Sequence, residues 1–206
     1  MGQIGNERGR GFFVQTVLAV HPQTREVLGC MAQEPFVRIP AHAGEQRYQR
    51  RKREERESDV WMRQVQTIGT PDPGRMWVHV GDRGADRFPF FQACQATQKH
   101  FLVRAAQNRR VQESEDEISS ELPQARAFPS QASRPFEVPA KHGHSGRSTQ
   151  LQLAFRHMTL LPPRFEPRAG KDPMTVWVIR VWEEQAPEGE EPKDGDLDDL
   201  GSHHDA

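Results

Sequence analysis

Residues 77–105 read WVHVGDRGADRFPFFQACQATQKHFLVRA. Trp77, Val78 and Val80 form a short apolar run containing one histidine, the pattern of a strand covered on both faces. Gly81 lets the chain turn, and Asp82-Arg83 stands at the strand's end. Asp86, Arg87 and Pro89 open a helix that runs to about Lys99, and Phe101, Leu102 and Val103 form a second strand, parallel to the first. A carboxylate at the end of a buried strand is well placed to hold a metal ion, because the strand fixes the side chain while the loop leaves it open to substrate. The same position suits a helix cap or a turn residue. Position alone leaves both readings of Asp82 open.

Upstream, Gly11–Val20 is an apolar strand, His21-Pro22-Gln23-Thr24 a turn, and Glu26–Gln33 a second strand, together an antiparallel hairpin. Phe36-Val37-Arg38 extends it, and residues 40–46 are loop. The run RYQRRKREERES, residues 47–58, is dense in Arg and Lys, so it reads as a solvated face or as a phosphate contact. Ser58-Asp59 caps a helix whose Trp61, Val65 and Ile68 share one face. Downstream, residues 106–148 hold few large apolar side chains and read as irregular connections with one short strand. Leu151–Phe155 alternates with the period of a strand, and Leu160-Leu161-Pro162-Pro163 ends it. Met174–Trp182 is nearly continuous in apolar residues, which argues for a buried strand.

Only 34% of the residues are hydrophobic, too few for one large core, so the chain divides into a modest core and solvated stretches. The division is 1–105 as an α/β core, 106–186 as a β-rich part and 187–206 as an acidic, disordered tail. A net charge of −1 names no partner, but basic residues gather at 47–56 and 104–110 and acidic ones at 113–121 and 183–199. Cys30 and Cys94 lack metal spacing and read as ordinary thiols of a reducing compartment. The N-terminus has no apolar signal core and no run reaches membrane-spanning length, so the expected location is cytoplasmic, with no membrane partner. His142-Gly143-His144 and His203-His204 lack zinc spacing. Asp194-x-Asp196-x-Asp198 lacks the glycine and final glutamate of a calcium loop.

Asp82-Arg83-Gly84-Ala85-Asp86, followed by an aromatic-rich helix and Phe101-Leu102-Val103-Arg104, resembles the second catalytic-aspartate segment of the DDE transposases of the insertion-sequence-four family. That motif reads D-R-x-A-D and then F-[VL]-x-R. The hairpin resembles the family's G-F-x-x-H-x-x-L-A-V and E-V-L-G strands, with Gln15 near the His or Gln position. Glu57-Ser58-x-x-Trp61 resembles its K-E-S-x-x-W. Leu161-Pro162-Pro163, Val176–Glu183 and Ala186–Pro192 resemble the text of its β-rich insertion. The likeness spans residues 3–192 in order.

The resemblance implies a partial ribonuclease-H-like α/β core, a mixed sheet with helices, carrying a β-rich insertion. It implies DNA strand cleavage and transfer at two Mg²⁺ ions held by Asp, Asp and Glu, in a nucleoid-associated protein. Asp82 is the residue that maps onto this triad, as catalytic residue and metal ligand. No D-T-T-like strand precedes the hairpin and no Y-x-x-R-x-x-x-E helix follows the insertion, so the expectation is a core truncated at both ends and inactive alone. Arg104 reads as a surface strand-end arginine or, by resemblance, as a contact to transposon-end DNA. Arg83 pairs with Asp86 or Asp82, or touches phosphate. Arg50, Arg51, Lys52, Arg53, Arg109 and Arg110 are candidate DNA-backbone contacts. Besides DNA, the expected partners are intact transposase or a second copy as a dimer. Two alternatives stay open: a non-catalytic module that binds DNA or pairs with transposase and inhibits it, and an unrelated small α/β protein with Asp82 as a structural cap.

Overall fold

A computed structural model describes residues 2–3, 9–40, 42–46, 49, 52–53, 56–115, 117–140, 146–184 and 201–203. Gly2–Gln3 (β1) and Arg10–Gly11 (β2) pair antiparallel. Phe13–Val20 (β3) and Val27–Phe36 (β4) form the expected hairpin, with register shifts beside Leu18 and Val20. Its alternation leaves Leu18, Val20, Val27 and Leu28 exposed. The chain divides into two compact units, the first made of Met1–Trp77, Arg87–Lys99 and Arg164–Gly170.

In this first unit a 3₁₀ turn, Glu57–Asp59, leads into the helix Val60–Ile68 (α1), which ends at Gly69 with φ of 80°, a region glycine enters without strain. Phe88–Ala96 (α2) packs on α1, and Trp61 meets Phe90 edge-on with ring centroids 6.2 Å apart. This helix stops short of Lys99 because Gln98 takes a positive φ of 54°. Lys99 itself is buried and donates from Nζ to the Val65 carbonyl at 2.6 Å, a cation on the last turn of α1. Burial pushes its ammonium below the ordinary lysine range.

The largest polar feature of the unit is an ion cluster. Arg56 donates twice to Glu166, at 2.9 and 2.8 Å, and also to Asp59 at 3.0 Å. Arg168 pairs with Asp59 and donates to the Arg53 carbonyl at 2.9 Å. Asp59, expected as a helix cap, makes no capping hydrogen bond and is buried as an ion-pair partner instead. Gly170 N–H adds a bond to Gln92 Oε1 at 2.9 Å. Residues 164–170, remote in sequence, are thereby fastened to the start of α1 and to α2.

Burial pushes the Cys94 thiol up to about 12, whereas Cys30 is exposed. Ellman's reagent is therefore expected to titrate one thiol in the native chain and both in denaturant. Two fast thiols under native conditions would show that α2 is not packed as described.

The second unit, Val78–Asp86, His100–Pro163 and Lys171–Ala206, is built on one sheet. Val78–Gly81 (β5) pairs parallel with His100–Arg104 (β6). Arg110–Gln112 (β7) and Ile118–Ser120 (β8) precede a short helix, Glu121–Arg126 (α3), and Ala132–Val138 (β9) follows. Arg147–Leu160 (β10) and Met174–Glu183 (β11) form the long antiparallel pair, and Gly201–His203 (β12) lies between β11 and β6. The order is β5-β6-β12-β11-β10-β7-β8, with β9 on the first half of β10. The protein is mixed α/β.

Several expectations are corrected. Val78 and Val80 are 41% and 74% exposed and Leu102, in register with Val80, is exposed with them, so this face of β5 and β6 is open and only the opposite face, with Phe101 and Val103, is buried. Among the described residues, 106–148 hold β7, β8, α3, β9 and the start of β10 rather than a single strand. Their side chains are mostly exposed because the strands are short or peripheral, with Val111, Ala125 and Phe128 as apolar anchors. In β11, Met174, Val176 and Val178 are buried while the intervening Trp177 and Ile179 face a half-open surface. The compact units do not part at 105/106, because β5 and β6 belong to one sheet with β10 and β11. Of the tail 187–206, Gly201–His203 are ordered as a strand, satisfying backbone groups of both neighbours. Its other residues, with His142-Gly143-His144 and the 194–198 aspartates, lie outside the described residues. Among the described residues no helix is long and apolar enough to cross a membrane.

Candidate site at the carboxyl ends of the parallel strands

The register pairs Gly81 with Val103, so the next residues on the two strands are Asp82 and Arg104. Both stand at the carboxyl ends of a parallel pair, where open α/β sheets bind ligands. Asp82 has extended backbone angles and an exposed side chain whose Oδ1 accepts from Gly84 N–H at 2.8 Å. The Asp82 carbonyl accepts from Ala85 N–H at 3.0 Å. Asp82 thus caps a 3₁₀ turn, Arg83–Ala85, and still presents its carboxylate to solvent. Arg83 is exposed on that turn, and Arg104 is half-buried at the end of β6.

Across the sheet, residues in register share a face. Val80 is opposite Leu102, and Trp177 opposite His157. The Trp177 and His157 rings lie 3.6 Å apart by centroid, and Phe155 meets Trp177 at 5.4 Å. Phe155 is 43% exposed. The alternation around Leu151–Phe155 carried a signal for this aromatic row, but the continuous apolarity of Met174–Trp182 concealed that Trp177 faces outward.

Beneath the turn lies a buried charge cluster. Asp86 is 1% exposed, and its Oδ2 accepts from Ala106 and Gln107 N–H at 2.6 and 2.8 Å. Arg109 Nη2 stands 2.6 Å from Asp86 Oδ1 and 3.0 Å from the Asp86 carbonyl. Arg109 Nη1 lies 3.9 Å from Glu121 Oε2. Glu121 is fully buried, and its carboxylate oxygens accept no hydrogen bond among the described residues. The last Asp of D-R-x-A-D was legible as a motif residue, but not as the anchor of this cluster. Glu121 carried no sequence signal.

The structure brings Asp82, Arg83 and Arg104 to one end of the strand pair and separates the other candidates by role. Arg109 is an interior ion-pair partner, and Arg110 donates to the Pro162 carbonyl at 3.2 Å. In the first unit Lys52 is exposed, but Arg53 is paired with Glu45 and donates to the Ile39 and Pro40 carbonyls. Arg50 and Arg51 lie outside the described residues. The 47–56 run is therefore partly neutralised where it is described, since Arg53 and Arg56 both hold carboxylates. No group of three or more His, Cys, Asp or Glu side chains suited to a metal stands together among the described residues. One carboxylate, with one oxygen already capping a turn, does not fit a two-ion site. Compared with family models and with curated proteins, the sequence matches none.

Proposed function

We propose that this chain carries part of the catalytic core of a DDE transposase and binds DNA at the carboxyl ends of β5 and β6. The observation that carries this reading is the exposed Asp82 beside Arg104 on a parallel strand pair. The chain order supports it: an antiparallel hairpin, a helix, the parallel pair, then a long antiparallel pair at 147–183. A ribonuclease-H-like form of that core is part of the proposal. Asp82 would supply one Mg²⁺ ligand there, and the described residues do not supply the others, so no strand cleavage is assigned to this chain alone.

The test is duplex-DNA binding by the full chain across a salt series. Affinity is expected to fall as salt rises, and Arg83→Ala and Arg104→Ala each to lower the log–log slope by about 1. Binding that is absent or indifferent to salt would sink the DNA reading. Metal-dependent nicking of plasmid by the purified chain would overturn its assigned inactivity. A second reading, a non-catalytic module pairing with intact transposase or with a second copy, is favoured by the exposed valines of β5, the end strand of the sheet among the described residues. Sedimentation of the chain alone and with transposase separates the two readings.

A further inference from the structure

Two buried carboxylates compete for one guanidinium beneath the Asp82 turn. Asp86 is well satisfied, by two backbone N–H groups and by Arg109. Its carboxylate ties the end of the 3₁₀ turn to residues 106–109, directly after β6. Glu121 has no comparable donors. Its side chain meets Arg109 only at 3.9 Å, while its backbone N–H is fixed to the Arg109 carbonyl at 2.8 Å. Leu122 N–H is likewise held by Asn108 Oδ1 at 3.1 Å. The start of α3 is therefore held beside Arg109, with the Glu121 side chain fully buried there.

We infer that Asp86, Arg109 and Glu121 form a proton-responsive latch that sets how firmly the Asp82 turn is held to the end of β6. With Glu121 protonated, Arg109 belongs to Asp86 and the turn is clamped. When Glu121 ionises, an unsolvated anion appears 3.9 Å from the same guanidinium. Arg109 is then drawn from the Asp86 carbonyl and carboxylate, and the turn loosens. Burial, with a smaller push from Asp86, raises the Glu121 carboxyl to about 7 against the lowering by Arg109. Of the other charged groups nearby, Arg110 of β7 is in register with Ser120 and donates to the Pro162 carbonyl, Arg126 stands in the last turn of α3, and Arg180 of β11 donates to the Arg126 carbonyl. Arg156 of β10 lies over the Phe128 ring beyond it. Ser119 of β8, whose hydroxyl is buried, carries no charge. The latch goes beyond the transposase reading and needs neither DNA nor metal, so its failure and that of the DNA proposal are told apart.

The test is amide hydrogen exchange of the full chain at pH 5.5 and 8.5, corrected for the intrinsic pH dependence of exchange. Protection of residues 82–86 and 106–109 is expected to drop by about tenfold or more at the higher pH in the wild type. Glu121→Gln, which keeps shape and stays neutral, is expected to keep the protection at both. Equal drops in the two proteins, or no drop in the wild type, overturn the latch. A carbon-13 titration of the wild-type glutamate carboxyls decides the matter if the variant does not fold. One carboxyl titrating near neutrality, in step with the Ala106 amide shift, supports the latch, and its absence overturns it.

Discussion

Arg109→Met is expected to lower the unfolding free energy by about 3–5 kcal/mol, the range for removing one partner of a buried ion pair. The substitution leaves Asp86 and Glu121 buried without their shared counter-charge. The size of the loss should depend on pH. Glu121 has a folded pKa raised from 4.5 to about 7. Its contribution to stability is therefore fully present below pH 4.5 and is lost as pH rises through about 7. Below that range only Asp86 is stranded, and it keeps its two backbone donors, so the loss sits at the lower end. Above it the wild type has Arg109 to offset an ionised Glu121 and the variant does not, so the loss sits at the upper end. Urea unfolding at pH 5.5 and 8.5 measures this. A variant of unchanged stability but weakened DNA binding would return Arg109 to the role of a phosphate contact.

Arg56→Ala should destabilise the first unit by about 3 kcal/mol or more, because Glu166 loses a two-pronged partner and Asp59 loses one of the two arginines that hold it. Arg56→Lys is not expected to restore it, since an ammonium does not span both Glu166 oxygens as the guanidinium fork does. The effect should be local as well as global. Residues 164–170 are tethered largely through this cluster, so limited proteolysis should cut there first in the variant. Equal cutting in wild type and Arg56→Ala would show that the tether does not depend on Arg56.

These two arginines mark where reading the sequence reached its limit. A run such as 47–56, or the pair Arg109-Arg110, looks like a phosphate-binding surface because composition records the cations and not the distant carboxylates that neutralise them. Glu166 lies 110 positions from Arg56, and nothing local connects them. Glu121 was equally invisible, since a glutamate in a polar stretch gives no hint that it is fully buried. Asp82 was legible because its surroundings are local: a β-rich run, a turn glycine and a helix start stand within a few residues of it.

What local pattern could determine, it did. The apolar run ending at Val20 and the turn at residues 21–24 specify the hairpin, and the stripe of Trp61, Val65 and Ile68 specifies α1. The strand–turn–helix–strand order of residues 77–105 specifies a parallel pair ending at Asp82 and Arg104. What depended on long-range contacts appeared only in three dimensions. Whether β5 is central or at the edge is settled by which strands join the sheet, and no property of Val78 or Val80 records that. The face on which Trp177 lies follows from its register with His157, and the raised pKa of Glu121 from its burial by other elements, which Asp86 reinforces and Arg109 opposes. Hydrophobic period is a property of neighbours along the chain, whereas ion pairing, edge position and desolvation are properties of neighbours in space.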